Sequence, residues 1–141
     1  MSTTHERSMM PTIDDEGAGA APARKPLAYL ASPYSAPTDA EREARFHDVC
    51  VAAGILMNAG HRVLSPIAHS HPIAVHGLLP TGFAWWADYD HALLDRCDEL
   101  WVITLPGWRE SRGVTDEISY ARARGIPVRL VDAETLEVTP W

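Results

Sequence analysis

Four short runs rich in apolar residues, separated by segments of helical period, limit this chain to few architectures. Leu27-Ala28-Tyr29-Leu30-Ala31, closed by Ser32-Pro33, is apolar at every position. A strand with one wet face alternates instead, so this run suits a strand covered on both sides. Arg62-Val63-Leu64-Ser65-Pro66, Glu99 to Leu105, and Pro127 to Val131 read as three more strands. Helices fill the intervals. Thr38-x-x-Glu41 has the form of a capping box, and Phe46, Val49, Cys50, Ala53, Leu56 and Met57 recur at helical spacing up to Gly60. A second helix is expected from Ala84 to Arg96, and a third from Ser111 to Arg124 with Gly125 as its C-cap. A Pro-, Gly- and His-containing loop is expected from Ile67 to about Gly82.

Strands alternating with helices point to an α/β fold. The expectation is a small doubly wound, flavodoxin- or Rossmann-like parallel sheet of four to five strands with helices on both faces. In such sheets ligands bind beyond the carboxyl ends of the strands, which puts the Ser32 loop, the Ser65 loop and the Leu105 to Gly113 loop on one rim. A chain of 141 residues supports one core, so residues 26–141 read as a single domain. Residues 1–25 are rich in Ser, Thr, Pro, Ala, Gly and charge, lack apolar periodicity, and are expected to form a disordered tail. The net charge of −7 argues against a nucleic acid polymer or an anionic lipid surface as partner. The longest apolar stretch, Val49 to Met57, is too short to span a membrane, and no secretory layout opens the chain, so a cytoplasmic location is expected. Cys50 and Cys97 fall in two different expected helices, each within an apolar pattern, which suits buried free thiols better than a disulfide or metal pair.

The residues that carry chemistry begin with Glu117. On the helix from Ser111 the inward stripe reads Val114, Ile118 and Ala121, and Glu117 shares or borders that face. An unpartnered buried carboxylate costs several kcal/mol, so its presence points to a use. Asp90 falls in the same way among Trp86, Leu93, Leu94 and Cys97, so a second carboxylate points inward; a helix-cap or salt-bridge role is the plainer alternative for each. Paired carboxylates can divide roles, one ionised and one acting as acid, base or positioning group. The helix N-terminus is expected to help keep Glu117 charged.

Ser111 is a good N-cap, Gly113 permits close backbone approach, and Arg109 and Arg112 add charge, so the first-turn amides offer a seat for phosphate or carboxylate. A plain Ser-capped helix with solvated arginines is the alternative. No Walker lysine and no Gly-x-Gly-x-x-Gly run is present, which removes support for ATP hydrolysis and dinucleotide redox chemistry. Tyr29, Ser32, Pro33 and Tyr34 offer a phenol and a hydroxyl to the same rim, or simple packing. His69, His71 and His76 lack a carboxylate or cysteine at ligand spacing, so no metal and no cofactor is expected. Ser70 and these histidines are read as lining or closing over a substrate, with a plain loop role as the alternative. Trp85, Trp86, Trp101 and Trp108 read as core by default, and Trp108, in the anion loop, alternatively as a ring that stacks on a base.

Tyr29-Leu30-Ala31-Ser32-Pro33-Tyr34, the Asp90 helix leading to Cys97-Asp98-Glu99-Leu100-Trp101-Val102, and Ser111-x-Gly113-x-x-x-Glu117 resemble, in this order, the nucleoside 2-deoxyribosyltransferase superfamily. Ser70-His71-Pro72-Ile73 and Leu105-Pro106-Gly107-Trp108 look more specifically like its DUF1937 branch, and the likeness covers roughly residues 27 to 131. The resemblance implies retaining cleavage or transfer at the N-glycosidic bond of a nucleoside or nucleoside 5′-monophosphate. In that reading Glu117 is the nucleophile, Asp90 assists the departing base or positions the sugar, Tyr29 orients Glu117, and Ser111 matches a phosphate-holding serine. Ser119 stands where many transferases have glycine, and the insertion with His69, Ser70, His71 and Trp85 has no counterpart in the matched motif. The resemblance also implies a homo-oligomer, which Val138-Thr139-Pro140-Trp141 could help to join. The competing expectation is a non-catalytic module that binds or senses a nucleotide.

Overall fold

The computed structural model describes residues 24–141; most of the expected tail lies outside the described residues. Nine elements follow in the order β1 (Leu27–Ala31), α1 (Asp39–Asn58), β2 (Arg62–Leu64), α2 (Pro66–Gly77), α3 (Phe83–Leu94), β3 (Glu99–Ile103), α4 (Arg112–Ala123), β4 (Val128–Val131) and β5 (Val138–Pro140). The strands form one sheet in the order β2-β1-β3-β4-β5. The pairs β1–β2, β1–β3 and β3–β4 are parallel, and β5 runs antiparallel to β4. This is a Rossmann-like α/β sheet with the flavodoxin strand order in its parallel part, and the order reverses at β1 and β3, where such sheets open a crevice.

The parallel strands feed two cores. Ala28, Leu30, Trp101 and Ile103 point to one face and join Val49, Ala53 and Leu56 of α1. Tyr29, Ala31, Leu100 and Val102 point to the other and join Leu94, Val114 and Ala121 from α3 and α4. Burial on both faces is why the strands read as continuous apolar runs instead of alternating ones. Tyr29 sits between Leu64 and Leu100 in register, at the centre of the second core.

The helix starts follow their caps. The Thr38 side chain accepts from the Glu41 amide at 3.1 Å, and the Ser111 side chain accepts from the Val114 amide at 3.2 Å. Gly125 takes a left-handed φ of 74° just past α4, a conformation that costs glycine little. Cys97 lies in the turn between α3 and β3, not in a helix; it is buried, Cys50 in α1 is half-buried, and both are free thiols.

Two elements depart from the expectation. The segment read as a loop from Ile67 is α2, a helix with Pro66 in its first turn and the Ser65 hydroxyl accepting from the Ala68 amide at 3.1 Å. Pro72 lies inside it, which forgoes one amide bond, and Leu78 ends it in the left-handed region with a φ of 57°. The C-terminal segment is β5, which pairs with β4 of its own chain. Trp141 behind it packs edge-on against Trp108, with ring centroids 5.8 Å apart. Among the described residues no helix is long and apolar enough to cross a membrane.

Candidate functional site

Glu117 is buried on the inner face of α4, with only 7% of its surface exposed. The hydroxyl of Tyr29, reaching up from β1, donates to Glu117 Oε2. The strand places the phenol and the helix places the carboxylate, so the contact joins residues 88 positions apart. Glu117 also lines a cleft at the β1/β3 crevice with Ser32, Tyr34, Ser70, Asp90, Ser111 and Gly113. Seven residues singled out in the sequence therefore meet around one opening, at the place where the topology puts a ligand site.

Two lining residues carry polar atoms with nothing to bond. Ser32 Oγ and Asp90 Oδ1 are buried and lack a hydrogen-bond partner among the described residues. Leaving such atoms bare costs about 1–3 kcal/mol each, which a bound polar group removes. Packing does not require a glycine at 113: a Cβ there would make only ordinary contacts with Phe83 and Ser111, at 3.9 Å.

Burial dominates the electrostatics. It pushes the Glu117 carboxyl up to about 8, with the charges of Asp90 and Asp116 adding to the rise and the Tyr29 hydrogen bond opposing it. Asp90 is pushed up to about 6, again mainly by burial, with His91 opposing and Asp116 adding. The expectation that the helix N-terminus keeps Glu117 charged is thus outweighed by desolvation. Tyr29 is held well above its ordinary range by burial and by Glu117, so its phenol remains a donor. Two coupled carboxyl groups of unequal environment share the cleft, and near neutrality they hold one proton between them.

Outside the cleft, His91 Nε2 lies 2.6 Å from Asp116 Oδ2, and its ring stacks on Tyr120 at 3.9 Å. Each partner neighbours one of the two carboxylates in sequence, so this contact ties α3 to α4 beside the pair. Arg112 lies over the Phe83 ring at 4.6 Å, close to the cleft wall.

Other expected site residues lie elsewhere. Pro33 is fully buried behind the β1 turn. His71 does not close over the cleft; it is 5% exposed, stacks on Phe46 at 4.4 Å and bonds Tyr34 and Glu43. Trp108 is turned away by the tight 106–110 turn and faces Trp141 and Arg109. His69 stacks on Tyr89 at the surface, and His76 is exposed. Among the described residues no group of three or more His, Cys, Asp or Glu is placed to hold a metal ion.

The sequence reading passed over Thr81, Gly82 and Phe83, which form a cleft wall with Trp86. Trp86 was read as core, yet its indole donates to the Pro80 carbonyl at 2.7 Å and its ring borders the opening. Gly82 is the N-cap of α3 and Phe83 its first residue, a start without a side-chain cap and so without a sequence signal.

Fold and site together define a doubly wound α/β protein with a buried Glu117 and a half-buried Asp90 at its topological switch point. Residues 26–133 match the family described as Domain of unknown function (DUF1937), and the chain belongs to that family. A comparison with curated proteins gives no match.

Proposed function

We propose that this protein cleaves, or transfers at, the N-glycosidic bond of a nucleoside or nucleoside 5′-monophosphate through a covalent glycosyl-Glu117 intermediate. The observation that carries the reading is Glu117 itself, a buried carboxylate held by the Tyr29 phenol and facing a cleft it shares with Asp90. The likeness of the Tyr29–Tyr34 and Ser111–Glu117 segments to nucleoside 2-deoxyribosyltransferases supports the substrate class.

The reactive form is the less populated arrangement of the pair, with its one proton on Asp90 (about 6) instead of on Glu117 (about 8). From it, in the first step, an oxygen of ionised Glu117 bonds to the anomeric carbon while the bond from that carbon to the base nitrogen breaks. The electron pair leaves with the base, which takes a proton from Asp90. In the second step water attacks the same carbon, gives its proton to Asp90 and releases Glu117; another base in place of water makes the reaction a transfer. Tyr29 orients the nucleophile, and the Ser111-capped end of α4 offers amides to a 5′-phosphate. The reading includes a cytoplasmic homo-oligomer, whose size light scattering measures.

Incubation with a panel of nucleosides and nucleoside monophosphates is expected to release free base, and Glu117→Ala to abolish it. Folded protein that releases no base from any of them contradicts the reading. One observation favours a second reading, a non-catalytic nucleotide-binding module: a carboxyl raised to about 8 is mostly protonated at neutral pH and can serve as a hydrogen-bond donor. Strong thermal stabilisation by a nucleotide that is never turned over would select that alternative.

A further inference from the structure

Behind the cleft wall lies a chain of three polar side chains that the proposed reaction leaves unused. Tyr34, in the loop after β1, lines both the cleft and a hollow behind it, with Ala74 and Thr81 completing the shared wall. Its phenol oxygen is 2.7 Å from His71 Nδ1, and His71 Nε2 is 2.8 Å from Glu43 Oε1. The three residues come from the β1 loop, α2 and α1. Phe46 stacks on the imidazole from one side and Tyr34 meets it edge-on, so the ring is held in one orientation.

The direction of each bond follows from what the groups can donate. The Glu43 carboxylate only accepts, so His71 Nε2 carries a proton toward it. In the neutral ring Nδ1 then has a lone pair and no proton, so it accepts from the phenol. In that form Tyr34 spends its one proton on His71 and keeps only oxygen lone pairs for a ligand, whereas a ring protonated at both nitrogens would reverse the bond.

Resting on the proposed nucleoside reading, we propose that Glu43 and His71 fix Tyr34 as a hydrogen-bond acceptor that selects ligands presenting a donor, a sugar hydroxyl or a base amine. Glu43 and His71 act through Tyr34 and are positioning residues. A serine at the same place would rotate to suit either kind of ligand; a phenol locked by a buried imidazole cannot. A group that hydrogen-bonds a ligand in this way rejects the analogue lacking the donor, because its own lone pair is then left bare.

The test has two arms, both on the full chain. Nitrogen-15 NMR of the histidine ring in ligand-free protein reads the tautomer: His71 is expected to be protonated at Nε2 and bare at Nδ1, with a mixture in Glu43→Ala. A protonated Nδ1 overturns the relay whatever the ligand. Calorimetry then compares adenosine and cytidine with counterparts lacking the 2′-hydroxyl, the 3′-hydroxyl or the exocyclic amine. Wild type is expected to favour the donor-bearing member of at least one pair roughly tenfold, a ratio that falls in Glu43→Ala and approaches one in Tyr34→Phe. Equal binding across all pairs, or a ratio unchanged in Tyr34→Phe, overturns the inference while base release by Glu117 leaves the parent reading standing. If no nucleoside binds, the parent reading fails and the ligand half of this inference with it.

Discussion

Tyr29 and Glu117 are bound to each other across the interface between the sheet and α4, the phenol donating and the carboxyl oxygen accepting, with both side chains buried. A tyrosine in a core strand commonly packs and nothing more. Here its hydroxyl meets the one acidic side chain that α4 buries, so the strand aims the helix's carboxylate at the cleft.

The first consequence concerns Tyr29→Phe. The ring and its packing remain, while Glu117 loses the hydrogen bond that favours its ionised form. A hydrogen bond to a charged group is worth about 1.5–3 kcal/mol, so kcat/KM for base release is expected to fall roughly tenfold to a hundredfold. Steady-state kinetics on a folded variant checks this; an unchanged kcat/KM would remove Tyr29 from the mechanism.

Stability should depend on pH through the same residue. Burial raises Glu117 from its ordinary range to about 8, so between about 4.5 and 8 the native state binds a proton that the unfolded chain has lost. That contribution is fully present below the unfolded value and disappears as pH rises through the folded one. Glu117→Gln keeps the shape and cannot ionise. It is expected to match wild type in Tm near pH 4 and to exceed it by about 5 °C or more at pH 9. Equal melting curves at pH 9 would show that Glu117 ionises without cost.

The pH profile of base release is expected to be bell-shaped. Below about 6 both carboxyl groups are protonated and no nucleophile exists; above about 8 both are ionised and no acid remains. Asp116→Asn removes a negative charge that raises both groups, so both limbs should move to lower pH. A profile flat from pH 5 to 9 would contradict the division of roles between Asp90 and Glu117.

Gly113→Ala separates a ligand role from a folding role. The added methyl meets Phe83 and Ser111 at 3.9 Å, an ordinary contact, and alanine favours the helix by about 0.5–1 kcal/mol. Tm should hold or rise by a few degrees, while binding of a nucleoside monophosphate to the α4 N-terminus weakens severalfold. Isothermal titration and thermal melting read the two effects; undiminished affinity would place the ligand elsewhere.

The core of this fold was legible because β1 and β3 carry apolar residues at nearly every position and α1 and α4 open on side-chain caps. The carboxylates were legible for a related reason: Glu117 and Asp90 interrupt apolar stripes, and a stripe marks an inward face. α2 was hidden by Pro72, which reads as a breaker, although Ser65-Pro66 is a helix-start signal. β5 is three residues long and includes Pro140, which an edge strand tolerates and a pattern search discards. The place of His71 depended on Glu43 and Tyr34, side chains from other elements, so local spacing could not supply it. Trp108 packs against the second core, its default reading, and not over the cleft, because the turn at Gly107, with a φ of 90°, swings the ring to the far side of α4.

The central claim is a covalent bond between Glu117 and a sugar. Incubating the protein with 2′-fluoro nucleosides, whose electron-withdrawing substituent slows the release step, and measuring intact mass followed by peptide mapping tests it directly. The expected result is a mass gain of one fluoropentosyl group on the peptide containing Glu117, absent in Glu117→Gln. Base release that proceeds in Glu117→Gln, with no adduct on any peptide of the wild type, would contradict it.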